Sequence, residues 1–226
     1  MIARTVMRGL AVVLDSGPRG PEVLFPEEAA AAGHFASGRL ADYCAGRFCA
    51  HAATRLAGAQ PGAILNAMDG SPGWPAGYAG SISHCPGMAA ACVARADTAC
   101  ATGIDVEQVG RIDRDLWPAV FGPGECDFLA SLAPCLVPAY STALFCLKEC
   151  FLKLVVADEA TVDDLKQLRV YVRAPEWHLA AAAGSLSRFF PRCGRPELRA
   201  YVEFLGRHVI AVLSLRDGAA PMHRTT

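Results

Sequence analysis

Long apolar runs are missing from this chain of 226 residues. None approaches the roughly 18 uninterrupted apolar residues of a membrane-spanning helix, so no span is expected. There is no Gly-x-x-x-x-Gly-Lys loop and no Gly-x-Gly-x-x-Gly fingerprint, which removes triphosphatase and dinucleotide-binding readings. No Gly-x-Ser-x-Gly elbow surrounds Ser81 or Ser83, and neighbours on a strand face opposite ways, so Ser83 and His84 form no local dyad. An excess of either charge is also absent. Lysine and arginine number 21 against 22 acidic residues, a formal net charge of −1, which leaves no basic footprint for nucleic acid.

What the chain does have is apolar residues of small size. They reach 53% of the composition at a mean hydropathy of +0.27, much of it alanine and cysteine, which bury easily. None of the ten cysteines stands in a C-x-x-C pair. Cys44 and Cys49 with nearby His51 loosely suggest zinc, but closed zinc sites use tighter spacing. Reduced thiols packed in the core fit better. Arg4 and Arg8 precede a short apolar run, Leu10 to Leu14, that Asp15 ends without a cleavage pattern. A strand is therefore expected there, and a cytoplasmic location.

Periodicity and breakers predict short strands at 10–14 and 23–25 and a helix opened by Pro26. A strong helix is expected from Arg39 to Leu56, buried through Ala41, Ala45, Phe48, Ala52 and Leu56. A Gly/Pro-rich loop at 66–79 leads to strands 80–84 and 88–95, joined at Pro86-Gly87. A strand at 102–107, short helices through 111–133 and a helix from Thr142 to Val156 follow. That last helix packs through Leu144, Leu147, Phe151, Leu154 and Val155. Strands at 168–173, 177–182, 198–204 and 208–215 precede a loose tail from Asp217 to Thr226.

Two of these elements carry chemistry. In Gly103-Ile104-Asp105-Val106-Glu107 both carboxylates face the same side of a strand, where they repel unless a cation neutralises them. In the helix, Glu149 and Lys153 lie one turn apart on one face. Asp-x-Glu on a wet strand face and a surface ion pair are the ordinary readings of each piece. Together, three carboxylates flanked by lysines suit a hard divalent ion that bridges to a phosphorylated ligand.

Four stretches in this order resemble the 4′-phosphopantetheinyl transferases of the surfactin and enterobactin type. They are Arg39 to Ala50 with its Gly46-Arg47 step, Trp74-Pro75 leading to Gly80-Ser81-Ile82-Ser83-His84, Gly103 to Glu107, and Phe145 through Lys148-Glu149 to Lys153. The likeness spans roughly residues 22 to 155. It implies an α+β fold of two similar halves, a pseudo-dimer divided into 1–107 and 108–226, with the site in the cleft between them. It also implies transfer of the 4′-phosphopantetheine arm of coenzyme A to a serine of an apo acyl or peptidyl carrier protein, as in secondary-metabolite or siderophore assembly, releasing 3′,5′-ADP. By the same likeness Asp105, Glu107 and Glu149 would hold Mg²⁺, and Glu149 would serve as base. Lys148 and Lys153 would neutralise pyrophosphate. Arg47, His51, Ser83 and His84 would line the coenzyme A site, with the Ser71-Pro72 turn at the adenine. A monomer is expected.

This chain departs from the family where His51 replaces the usual arginine, and where Asn66 and Asp69 replace basic residues. Both places help bind the 3′-phosphate of coenzyme A in relatives. A stripe of Arg47, His51 and Arg55 is expected to contact that phosphate, with binding that weakens as His51 loses charge. The alternatives left open are a family member with a different donor, or a non-catalytic module that binds coenzyme A or a carrier.

Overall fold

The structure, a computed structural model, describes residues 2–68, 70–157, 164–173, 176–181 and 184–218. Asp69, Ala182 and the tail beyond Gly218, all of which figure in the sequence expectations, lie outside the described residues. Two antiparallel sheets face each other across a shared core. Each is covered on its outer side by one long helix.

The first sheet has the order β1-β2-β4-β3, from β1 (Ile2–Met7), β2 (Leu10–Asp15), β3 (Tyr78–Cys85) and β4 (Met88–Arg95). Strand β1 has no counterpart among the expectations. It joins β2 through Arg8 and Gly9, whose positive φ angles of 48° and 84° build a tight two-residue turn. The expected strand at 23–25 does not form: Val23 ends a 3₁₀ turn, Pro21–Val23, closed by Leu24 N donating to Pro21 O at 3.1 Å. Helix α1 (Pro26–Ala32) and helix α2 (Ser37–Leu56) follow.

Helix α2 lies on β2 and β4 through Cys49, Ala50 and Ala53, which pack on Val13, Ala89, Ala91 and Val93. Of the expected stripe, Ala52 is buried and Ala45 and Phe48 pack against this cluster, but its two ends do not. Ala41 and Leu56 are exposed, while Arg47, Cys49, Ala50 and Ala53 are buried. A helix this rich in alanine and cysteine is apolar on several faces, so periodicity gives its orientation poorly. Gly46 lets the helix approach β3: a Cβ there would stand 3.0 Å from Ile82.

The second sheet has the order β5-β9-β8, from β5 (Ala101–Gln108), β8 (Pro196–Leu205) and β9 (His208–Asp217). Short helices α3 (Trp117–Val120) and α4 (Pro123–Ser131) lead into α5 (Val137–Ala157), which starts a turn earlier than expected. Leu144, Leu147, Phe151, Leu154 and Val155 are buried as the sequence indicated, against Val209, Ala211 and Leu213 of β9. A hairpin of β6 (Leu168–Arg173) and β7 (Glu176–Ala181) forms a separate two-stranded sheet. Between the two large sheets Leu10, Val12, Leu14, Ala90, Cys92 and Ala94 meet Ile104, Val106, Ile210 and Val212. The layers run helix, sheet, sheet, helix.

The chain writes one topology twice: strand, long helix, then a hairpin whose second strand pairs antiparallel with the first strand. β2 pairs with β4, which pairs with β3; β5 pairs with β9, which pairs with β8. Strand β5, assigned by the sequence to the first half, is hydrogen-bonded into the second sheet. The repeat extends to side chains. Helices α1 and α4 both begin with proline at the first turn, Pro26 and Pro123. In each, the glutamate two residues on accepts from the backbone N–H just before the helix: Phe25 to Glu28 at 2.9 Å, Gly122 to Glu125 at 2.8 Å.

Both glutamates are buried, and each meets a basic residue of the long helix 23 positions later. His51 Nε2 lies 2.9 Å from Glu28, and Lys148 Nζ lies 2.9 Å from Glu125. Each glutamate also accepts from a backbone N–H beyond its long helix: Ile64 N at 2.8 Å on the Glu28 oxygen that meets His51, and Val170 N at 2.8 Å on the Glu125 oxygen not used by Lys148. The segment that follows each long helix is thereby tied back to the short helix before it.

Candidate active site between the halves

Strand β5 alternates as its sequence requires. Ile104 and Val106 enter the inter-sheet core, while Gly103, Asp105 and Glu107 face helix α5. Gly103 has a packing reason for lacking a side chain, because a Cβ there would collide with the Cys150 carbonyl. The close approach lets Lys153 reach across. Its ammonium donates to Ile104 O at 2.7 Å and to Asp105 Oδ1 at 3.0 Å.

Asp105 is the centre of the site and is buried. Its Oδ1 also accepts from Ser83 Oγ at 2.8 Å, and the same hydroxyl oxygen accepts from Val106 N at 3.3 Å. Its Oδ2 is buried with no hydrogen-bond partner. Such an atom is costly to leave bare and marks a place for a cation or a donor. Glu107 and Glu149 are half-buried. Burial raises both carboxyls above their usual range. Asp105 adds to the rise in each, and Glu149 adds to that of Glu107, while Arg111 and Lys153 pull both down. For Lys153 burial opposes the charge, but Asp105, Cys150 and Glu149 outweigh it and raise the pKa, so the ammonium persists.

The donor chemistry fits a hard divalent ion: three carboxylates that repel one another, one with a bare buried oxygen. The spacing is open. Among the described residues no three His, Cys, Asp or Glu side chains stand close enough to enclose a metal. Asp105, Glu107 and Glu149 thus share one electrostatic neighbourhood but would have to close about an ion.

Lys153 also lines the end of a groove of about 850 Å³ that runs along the first half. Arg47, Tyr43, Asn66, Ser71, Pro72 and His84 contribute to its walls. Arg47 is nearly buried. Its guanidinium lies 4.5 Å from the centre of the Tyr43 ring, and Nη2 donates to Asn66 Oδ1 at 2.6 Å. His84 is half-exposed at the rim, 3.7 Å from Asp42. On β3 the indole of Trp74 lies against Gly80, where a Cβ would stand 2.5 Å from the ring. A second groove of about 830 Å³, between β1, β2, β7 and β8, contains none of the motif residues.

Three expected ligand contacts do not survive. Lys148 is fully buried; beyond its pair with Glu125 it donates to Leu165 O at 3.0 Å and Leu168 O at 2.8 Å. Five steps of about 100° put it roughly 140° around α5 from Lys153, so it faces the core and serves packing. His51 is buried against Glu28 and packs edge-on against Phe25, one turn inward from Arg47. Ser83 points to Asp105 and holds a carboxylate, leaving Ser81 of the same strand on the groove wall. The stripe of Arg47, His51 and Arg55 reduces to Arg47, since Arg55 is exposed at the end of α2 and absent from the groove. The zinc suggestion falls as well: Cys44 and Cys49 are buried free thiols, and burial pushes Cys49 up to about 12.

Residues that sequence reasoning missed are Tyr43 and Glu28, while Asn66, read there only as a lost positive charge, holds Arg47. Tyr43 stands four before Arg47, the spacing at which a helical aromatic meets a guanidinium. Glu28 was legible from Pro26-Glu27-Glu28 and its repetition 97 residues later at Pro123-Gly124-Glu125, the same offset that relates His51 to Lys148.

The chain matches two family models. Residues 27–94 match the 4′-phosphopantetheinyl transferase N-terminal domain, and residues 101–209 match the 4′-phosphopantetheinyl transferase superfamily. The boundary between the two falls between β4 and β5. Over 111 residues it is 41% identical to the 4′-phosphopantetheinyl transferase Svp of Streptomyces mobaraensis, covering 49% of this chain and 45% of that protein. Over 150 residues it is 33% identical to the 4′-phosphopantetheinyl transferase PptT of Mycobacterium tuberculosis, covering 66% and 65%. The chain therefore spans less than two thirds of the length of these curated relatives. The solved ACPS–CoA complex of Chronobacterium ammoniagenes aligns with 51% of this chain and 96% of its own, at 15% identity and a TM-score of 0.42.

Proposed function

The chain belongs to the 4′-phosphopantetheinyl transferase superfamily, and from that premise we propose that it moves the 4′-phosphopantetheine arm of coenzyme A onto a serine of an apo carrier protein. The observation that carries this reading is Asp105. One carboxylate oxygen is clamped by Ser83 and Lys153, the other is bare and buried, and two further carboxylates press on it from β5 and α5.

In the proposed reaction the serine oxygen forms a bond to the β-phosphorus of coenzyme A, the one that carries the pantetheine. The bond from that phosphorus to the oxygen bridging the two phosphates breaks, and 3′,5′-ADP leaves. Glu149 takes the serine proton, directly or through water. A carboxylate whose affinity for protons is raised is the better base for that step. Lys153, whose charge persists, offsets the negative charge that gathers on the departing phosphate. Asp105, Glu107 and Glu149 would hold Mg²⁺, which supplies charge neutralisation at the pyrophosphate when bound. Arg47 and His84 receive the phosphates of the nucleotide end in the groove of the first half.

No helix among the described residues is long and apolar enough to cross a membrane. The buried free thiols Cys44, Cys49, Cys85, Cys92, Cys146 and Cys150 support a reducing compartment, the cytoplasm. Carrier domains are typically acidic, and with a net charge of −1 any attraction to one has to come from a local patch.

The test is direct. The protein is incubated with coenzyme A, Mg²⁺ and a panel of apo acyl and peptidyl carrier domains, and the carriers are weighed by mass spectrometry. Gain of one phosphopantetheine arm on the carrier serine, dependent on Mg²⁺, is expected. Binding of coenzyme A without any mass gain across the panel would instead favour the non-catalytic module.

A further inference from the structure

Glu28 sits at a junction that the transfer chemistry does not use. Its carboxylate accepts from Phe25 N at 2.9 Å, Ile64 N at 2.8 Å and His51 Nε2 at 2.9 Å, and its Oε1 lies 3.6 Å from Arg47 Nε. That Arg47 nitrogen is buried and makes no other polar contact. Arg47 in turn holds Asn66, which forms a bridge to Pro72, while Ala67 N donates to Ser71 O and Gly73 N to Leu65 O. Two walls of the groove, the guanidinium and the loop from Ile64 to Gly73, are thus fixed from a single buried carboxylate.

The other half carries the same device without the groove. Glu125 has its backbone bonds and its basic partner, but the residue that corresponds to Arg47 under the 97-residue offset is Leu144, a core residue. Whatever the device contributes to folding, both copies contribute. Only the copy at Glu28 has an arginine between itself and a ligand-sized groove.

We propose that Glu28 and His51 are positioning residues for anion capture. Glu28 orients Arg47 and anchors the 64–73 loop, and His51 holds Glu28 in place, so the pair sets the affinity of the groove for the nucleotide end of coenzyme A without touching it. His51 thereby keeps a part in ligand affinity that acts through Glu28 rather than through contact. This inference rests on the reading of the groove as the coenzyme A site.

Four variants separate positioning from mere stability: Glu28→Gln, His51→Leu, His51→Gln and Glu125→Gln. Each is assayed well below its own melting temperature, for coenzyme A binding by calorimetry and for KM and kcat in carrier loading. Glu28→Gln and His51→Leu are expected to weaken coenzyme A binding and raise KM about ten-fold, the size of one lost charge-assisted contact, with kcat within about two-fold. His51→Gln places an amide donor near the lost Nε2 and is expected to recover most of the affinity. Glu125→Gln is expected to lower the melting temperature and leave KM unchanged. Should Glu28→Gln fail to fold, the two His51 variants carry the test by themselves. Equal coenzyme A affinity in wild type, Glu28→Gln and His51→Leu would overturn the proposal, as would a rise in KM for Glu125→Gln as large as for Glu28→Gln. Failure of the wild type to bind coenzyme A at all would sink the reading of the groove itself, a result visible before any variant is compared.

Discussion

The two halves share a frame and differ in what they mount on it. Each has a proline-initiated short helix, a buried glutamate, a basic partner 23 residues on and a long helix across an antiparallel sheet. On the first long helix, Arg47 looks into the groove while Ala52 and Leu56 occupy the places that Glu149 and Lys153 hold on the second. On the second, Leu144 fills the core where the first has Arg47. The repeated residues are those whose removal would leave a buried charge or a bare N–H. The unrepeated ones are those that face the groove and the acidic cluster. Motif matching by residue type alone confuses the two classes, and Lys148 and His51 show it: both belong to the frame.

Breaking the comparison at its active end should give the largest effect. Asp105→Ala should reduce carrier loading by roughly a thousand-fold or more, because the acidic cluster would then lose its hold on the cation that offsets the pyrophosphate charge. Melting temperature should change little, since relief of repulsion at Glu107 and Glu149 is set against loss of the bonds from Ser83 and Lys153. A single-turnover assay with circular dichroism on the same sample checks both.

Lys148→Met tests the frame. It leaves Glu125 buried with its ammonium gone, and should cost about 3–5 kcal/mol in urea unfolding, the usual range for half of a buried pair. The fraction that remains folded should load carrier with the wild-type KM for coenzyme A. A raised KM with stability intact would return Lys148 to the pyrophosphate.

Metal provides a third contrast. At a hundred times its Kd, Mg²⁺ should stabilise the wild type by about 2.7 kcal/mol, seen as a higher melting temperature, and should do nothing for Asp105→Ala. Differential scanning fluorimetry across a Mg²⁺ series measures it, and an identical response in both proteins would argue against the three carboxylates.

The smallest effect expected is in acid. Burial alone would raise the Glu28 carboxyl, but the bonds from His51, Ile64 and Phe25 outweigh it and lower its pKa. An acid with a depressed pKa stabilises the fold above its unfolded value, near 4.3, and loses that contribution as pH falls through the folded value. Stability should therefore decline from about pH 5 downward. The decline should be shallower in Glu28→Gln when urea midpoints are compared at each pH.

How far the sequence led follows the same division. Alternation on β5 and the i, i+4 pair of Glu149 and Lys153 were legible because strand and helix periods alone put those groups on defined faces. The apolar stripe of α5 was legible because leucine and phenylalanine mark a face sharply. On α2 they do not occur often enough, and alanine and cysteine left its rotation undetermined. That ambiguity let His51 be placed beside Arg47 on a ligand face. Its partner Glu28 lies 23 residues upstream, a pairing that no local period reports and only the internal repeat reveals. The openness of the acidic cluster was not legible either, since a shared face fixes direction but not distance.

On the proposed function the two halves divide the labour: the second supplies the acidic cluster and Lys153, and the first the groove for the nucleotide end. A crystal structure of the protein with coenzyme A and Mg²⁺ tests this most directly. The account predicts pyrophosphate against Lys153 with metal among Asp105, Glu107 and Glu149, the nucleotide end between Arg47 and the 64–73 loop, and Lys148 and His51 still paired with their glutamates. Coenzyme A bound in the other groove, or Lys148 turned out from Glu125 to meet a phosphate, would contradict it.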